Sequence, residues 1–109
     1  RDRFLYTRDL QMNVKEYYSD VPAAPGGVSV YVDDEPLDPR NDLIDHSPSG
    51  FSWGYGGSGP AQLALAILAD LKGDERALED YQELKDNLIS VQPQHLPLRV
   101  TEEEVRDAI

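Results

Sequence analysis

Polar and apolar residues alternate through the first third of the chain and then recur at helical spacing. Arg3 to Arg8 is rich in strand formers. Leu10, Met12 and Val14 alternate with Gln11, Asn13 and Lys15, which favours a strand over Leu10 to Tyr18. Val21 to Gly27 carries two prolines and a glycine pair and reads as a loop. Val28, Val30 and Val32, separated by Ser29 and Tyr31, give the clearest strand, with one apolar face. Asp33 to Pro36 is the turn after it, Leu37 the start of a short return strand, and Pro39 to Ser49 a long polar loop.

The period then changes. From Pro60 to Lys72 only Gln62 and Asp70 interrupt an apolar run, which predicts a helix buried on most sides. Pro60 suits the first helical position and Gly73 the C-terminal cap. A second helix, capped by Asp74, runs to about Ile89, with Ala77, Leu78, Tyr81, Leu84 and Leu88 as its apolar stripe. Arg76 and Asp80 are spaced to pair across one turn. A one-residue link at Gly73 makes the two helices a tight hairpin. Leu96, Leu98 and Val100 alternate as a short strand, and Thr101 with Glu104 forms a capping-box pattern. Val105, Ala108 and Ile109 would face inward from a last short helix. The expected fold is α+β: a small, mainly antiparallel sheet with a packed two-helix hairpin and a short C-terminal helix. One domain over residues 1–109 is expected, with the loop and helical hairpin of residues 46–88 at its centre.

Composition changes this picture in one respect. A chain of 109 residues can bury roughly 60–70% of the surface it exposes when unfolded, enough for a core without disulfides or metal. It has no cysteine, which removes thiol chemistry and Cys-based zinc sites. No apolar run is long enough to cross a bilayer and Arg1 to Phe4 does not open a signal peptide, so a cytoplasmic location is expected. The deviation is charge: −11 net, with 13 Asp against 8 Glu and three Lys against seven Arg. Excess Asp and depleted Lys fit adaptation to molar salt, where screening relieves self-repulsion. An acidic mimic of nucleic acid and an ordinary acidic surface are the other readings. Nucleic acid is not expected as a direct partner at ordinary salt.

Candidate chemistry concentrates at Gly50 to Gln62, which holds five of the eight glycines and the only Trp and runs into a helix N-terminus. Such a terminus presents unpaired N–H groups and about half a positive charge. The backbone of Gly56, Gly57, Ser58 and Gly59 could therefore cradle a phosphate or carboxylate, with the Ser58 hydroxyl added and Trp53, Tyr55 and Gln62 lining the pocket. The structural alternative is a joint in which glycines permit a tight path and Trp53 and Tyr55 anchor the loop to the core. Gln62, the one polar residue of the first two helical turns, is expected to bond the Gly-rich loop. The segment lacks the Gly-Lys-Ser/Thr of a P-loop, and no Lys or Arg lies between Arg40 and Lys72. His46 beside Ser47, and Asp42 and Asp45 with His46, are spaced too loosely to assert catalysis or metal binding; a solvated His46 is expected, and His95 has less support. No catalytic residue, metal or cofactor is assigned.

The run Gly50-Phe51-Ser52-Trp53-Gly54-Tyr55-Gly56-Gly57-Ser58-Gly59-Pro60-Ala61-Gln62-Leu63-Ala64, preceded by His46-Ser47-Pro48, resembles the signature of a small prokaryotic and viral family classed only as a domain of unknown function. The resemblance spans residues 46–88, weakening towards Tyr81, Gln82 and Lys85. Members often carry an acidic residue before the Trp, where this chain has Ser52. The resemblance implies a bacterial, archaeal or viral source; the family has no established activity, so it supplies no chemistry to carry over. Function is therefore left between three expectations: a non-enzymatic module binding another protein, in a salt-adapted archaeon or its virus; an anionic-ligand-binding protein or minor enzyme using the Gly-rich loop; and an acidic inhibitor of a nucleic-acid enzyme.

Overall fold

The computed structural model describes residues 15–109. The strand expected at residues 3–8, and the part of the Leu10–Tyr18 strand before Lys15, lie outside the described residues. The elements are β1 (Glu16–Pro22), β2 (Tyr31–Val32), β3 (Glu35–Pro36), α1 (Ser58–Lys72), α2 (Asp74–Leu84), a π-helical turn (Lys85–Ile89), β4 (Pro97–Thr101) and α3 (Glu102–Asp107). The strands form one antiparallel sheet in the order β3-β2-β1-β4, so the expected α+β architecture is present.

β1 pairs with β4 from Glu16 opposite Thr101 to Tyr18 opposite Arg99, then slips before Pro22 meets Pro97. Ser19 fills the slip: its buried hydroxyl accepts the Leu98 N–H at 2.8 Å and donates to the Val21 carbonyl at 2.7 Å. A backbone donor freed by the irregularity is thereby satisfied. Across β1, Tyr18 faces Tyr31 with ring centroids 5.7 Å apart. The β2–β3 hairpin turns on Asp33 and Asp34, both with positive φ (53° and 66°), as a tight two-residue turn of this hand requires. Pro36 is tolerated in β3 because that strand lies at the sheet edge, where its missing N–H costs no ladder bond.

The Val28–Val32 strand is shorter than its alternation predicts. The pattern sorts faces correctly, since Val30 and Val32 are buried and Ser29 is exposed. Only Tyr31 and Val32 join the sheet; Val28 exchanges two backbone bonds with Phe51, and Val30 accepts the Leu37 N–H at 2.8 Å. The partners are loop residues rather than a second regular strand.

α1 is buried from Gly59 to Ala69. Full burial of Leu63, Leu65, Ile67 and Leu68 contributes up to about 1.5–3 kcal/mol each. Pro60 is the third helical residue rather than the first, a position where its missing N–H is equally harmless. Gly73 has φ 95° and serves as both the C-cap of α1 and the N-cap of α2. A side chain would be strained in that conformation. Asp74 is thus the first residue inside α2, not its cap, and its carboxylate is used elsewhere.

α2 buries Ala77, Tyr81 and Leu84. Leu78, expected on the same stripe, is 44% exposed, because it stands one residue, about 100° of helix, away from Ala77. The Arg76–Asp80 pair forms at 3.2 Å. Beyond Leu84 the helix widens: Ser90 donates to Lys85 across five residues at 2.8 Å, and the adjacent Leu88 and Ile89 are both buried. Thr101 and Glu104 make the reciprocal capping box, and Val105 is buried while Ala108 and Ile109 pack against the core. Among the described residues, no helix is long and apolar enough to cross a membrane.

Candidate functional site

The Gly-rich loop is strapped to the segment that follows the π-helical turn. Trp53 is fully buried and its indole N–H donates to the Pro93 carbonyl at 3.2 Å. Gly54 donates to the Ile89 carbonyl at 3.1 Å. Its φ is 88°, and a Cβ there would stand 2.8 Å from the Gln92 carbonyl oxygen, so this approach requires glycine. The chain then doubles back under Tyr55, whose ring lies against Gly57 and whose hydroxyl reaches towards Gly59. Tyr55 remains 45% exposed, so it roofs the loop from outside and is not a core anchor.

α1 starts at this point without side-chain help. Its N-cap is Gly57, no acidic residue lies in its first turn, and the first intrahelical bond runs from Ala61 N–H to the Gly57 carbonyl at 3.1 Å. The Ser58 and Gly59 N–H groups, with Pro60 beside them, have no acceptor among the described residues. They border a pocket of about 200 Å³ whose polar lining comes from Ser47, Ser49, Ser52, Tyr55 and Ser58. In a chain with 21 acidic residues this pocket is lined by no carboxylate. Ser47 donates to the Gly50 carbonyl at 2.8 Å. Ser52 is 9% exposed, and its hydroxyl has no hydrogen-bond partner among the described residues.

Of the residues assigned to a ligand from sequence, Tyr55, Ser58 and Gly59 line this pocket, while Gly56 and Gly57 lie in the adjoining turn. Trp53 and Gln62 are not brought to it. Gln62, fully buried, holds the preceding loop instead of the Gly-rich one. Its Oε1 accepts the His46 N–H at 2.7 Å and the Ser47 N–H at 3.0 Å, and its Nε2 donates to the Pro39 and Ile44 carbonyls. Two donors and two acceptor sites exhaust an amide. Loop residues 39–47 expose four backbone groups to one side chain, so Gln62 closes that loop as a clamp.

His46 is not solvated as expected. Its Nε2 lies 2.9 Å from the Tyr81 hydroxyl and the two rings are 5.5 Å apart. Asp45 accepts from Asn41 at 3.0 Å and Asp42 pairs with Arg40, so Asp42, Asp45 and His46 face three different partners. Among the described residues no group of three His, Asp or Glu side chains could hold a metal ion.

The sequence reading missed a second concavity. A cleft of about 650 Å³ lies between the β2–β3 hairpin and α1. Its floor is apolar (Val32, Leu37, Ala66 and Ala69) and its rim carries Asp33, Glu35, Asp38 and Asp70. Arg40 stands at one end, already engaged. It forks onto Asp74 at 2.8 and 2.9 Å and onto Asp42 at 3.0 Å. Those bonds push the guanidinium pKa up and hold Asp42 and Asp74 below the usual carboxylate range. Asp70 accepts from the Tyr17 hydroxyl at 2.7 Å and from Lys15 at 3.1 Å. Burial, and then the Asp70 bond, push the Tyr17 phenol up. Asp38 accepts the Arg40 N–H at 2.9 Å. Asp33 and Glu35 have no hydrogen-bond or ion-pair partner among the described residues. The signal available in sequence was four acids within Asp33 to Asp38, but without the hairpin nothing showed that three of them, Asp33, Glu35 and Asp38, line a cleft with an apolar helix face.

No curated protein and no solved structure matches the chain. Residues 22–109 match a family described as a family of unknown function, DUF6166, and that stretch includes β2 to α3, the Gly-rich loop and the cleft. The match covers most of the chain, which therefore belongs to the DUF6166 family.

Proposed function

We propose that the protein is a non-enzymatic interaction module whose cleft receives a Lys or Arg side chain from a basic partner protein. The supporting observation is the combination of an apolar floor with Asp33 and Glu35 on the rim, neither of which has a partner among the described residues. A long cationic side chain lays its methylene stem on apolar surface and keeps its charge at the edge, the arrangement this cleft would complement. Net charge of −11 would steer such a partner in and repel acidic ones. Proteins that bind nucleic acid present such side chains in number, which keeps an inhibitor of that class within the same reading. A cytoplasmic setting in a salt-adapted archaeon or its virus is part of the proposal, resting on the Asp excess and Lys depletion.

Calorimetric titration with a lysine-rich peptide tests it. Asp33→Asn, Glu35→Gln and Asp38→Asn together are expected to weaken binding at least tenfold. Glu79→Gln with Glu83→Gln, exposed on α2, should leave it nearly unchanged. Equal losses from both sets would reduce the attraction to bulk charge and refute a cleft. Circular dichroism across salt tests the setting: a chain fully folded in salt-free buffer would argue against salt adaptation.

A further inference from the structure

The pocket at the start of α1 has features that protein docking at the acidic cleft does not use. The geometry points to a binding site for a small oxyanion, the phosphate or carboxylate group of a ligand, held by the Ser52 hydroxyl and the N–H groups of Ser58 and Gly59. α1 is a 15-residue helix whose N-terminus has neither a side-chain cap nor an acidic first turn. A buried polar group is ordinarily paired, and hydroxyls at helix starts ordinarily cap them. Here the nearest enclosed hydroxyl does neither.

Ser52 lines the pocket, is 9% exposed and lacks a partner among the described residues. Its position is fixed tightly: a Cβ on Gly59 would lie only 2.7 Å from the Ser52 Cβ, so the two residues are in contact, and both line the pocket. The Tyr55 hydroxyl approaches the same spot, 3.2 Å from that Cβ position. Ser52, Tyr55, Ser58 and Gly59 thus line one space of about 200 Å³ that no carboxylate lines. An oxyanion accepts hydrogen bonds from hydroxyl and amide donors alike, and a helix N-terminus favours its charge. No Lys or Arg lines the pocket, which suits one anionic group and not a polyphosphate.

The experiment is an amide NMR titration of the full chain with inorganic phosphate and, separately, with acetate. Saturable shifts centred on Ser58 and Gly59 are expected. A response to phosphate alone identifies a phosphoryl group, and a response to acetate identifies a carboxylate. Ser52→Ala should weaken the binding roughly tenfold, the usual effect of one hydrogen bond to a charged group. In anion-free buffer the same variant should melt at the temperature of the parent, because the Ser52 hydroxyl makes no bond among the described residues that the variant could lose. Ser58→Pro, at the exposed first residue of α1 where proline is tolerated, provides a second variant: it removes the Ser58 N–H and should weaken binding while the chain stays folded. The inference fails if neither anion gives saturable shifts at these amides. It fails equally if Ser52→Ala binds as the parent does, or if that variant lowers the melting temperature without anion.

Discussion

Gln62 and Ser52 are both buried polar side chains near the start of the same helix, and they are treated in opposite ways. Gln62 uses every donor and acceptor it has on four backbone groups of one loop. Ser52 uses none among the described residues. A saturated amide has no capacity for a ligand, however well placed it is; an enclosed hydroxyl with no partner keeps its capacity. The contrast separates a structural clamp from a place where something can bind, although both residues sit in one motif.

The largest effect should come from the clamp itself. Gln62→Ala strands four backbone groups at once and should cost about 3 kcal/mol in denaturant unfolding. A loss below about 1 kcal/mol would mean that water replaces the amide and that Gln62 is no clamp. Gln62→Glu is the sharper version. A carboxylate cannot donate to the Pro39 and Ile44 carbonyls unless protonated, so this variant should lose about 2 kcal/mol at neutral pH and regain part of it on acidification. Tyr81→Phe removes the partner of His46 Nε2 on the outer side of the clamped loop and should cost about 1 kcal/mol.

Smaller, and visible mainly in its pH dependence, is the Arg40 fork. Asp42 and Asp74 have folded-state pKa values below their ordinary value of 3.8. The folded chain therefore holds fewer protons on them than the unfolded chain does at low pH. Their contribution is complete above the ordinary carboxylate range and is lost as the pH falls through the depressed values. Arg40→Gln should lower the melting temperature by a few degrees at neutral pH and flatten its decline on acidification; an unchanged acid limb would remove the fork from the stability of the loop. Ser52→Ala completes the series at the bottom. Within about 0.5 kcal/mol of the parent, it would confirm that the two buried polar residues differ in kind.

Features set by short-range chemistry were legible in the sequence. The apolar run Leu63 to Ala69 fixed a buried helix, Gly73 fixed the hairpin, and Thr101 with Glu104 fixed the start of α3. What escaped depends on partners distant in sequence. The alternation at Val28 to Val32 could not show that Val28 and Val30 would meet Phe51 and Leu37 while only Tyr31 and Val32 join the sheet. Asp74 looked like a cap because Asp favours that role, but Gly73 occupies the capping position and Asp74 turns to Arg40, 34 residues away. The Gly-rich loop was recognised as a candidate site, yet its composition drew attention to Trp53 and Gln62, which the fold consumes internally. Ser52 carries no signal until burial and the absence of a partner are known. His46 likewise gains a role only when α2 places Tyr81 beside it.

The order of strands has a consequence for synthesis. β1 lies in the middle of the sheet, and its longer pairing is with β4, as in the Glu16–Arg99 contact across 83 residues. On the ribosome, β1 must wait until nearly all the intervening chain, including the apolar face of α1, has emerged before that side of the sheet can close. Late closure of a long-range pairing slows folding and leaves apolar surface uncovered in the interval. The nascent chain is thus most exposed to aggregation after α1 and before β4. The run of acidic residues on α2, made in that same interval, places repelling charge beside the uncovered helix when protection is needed most.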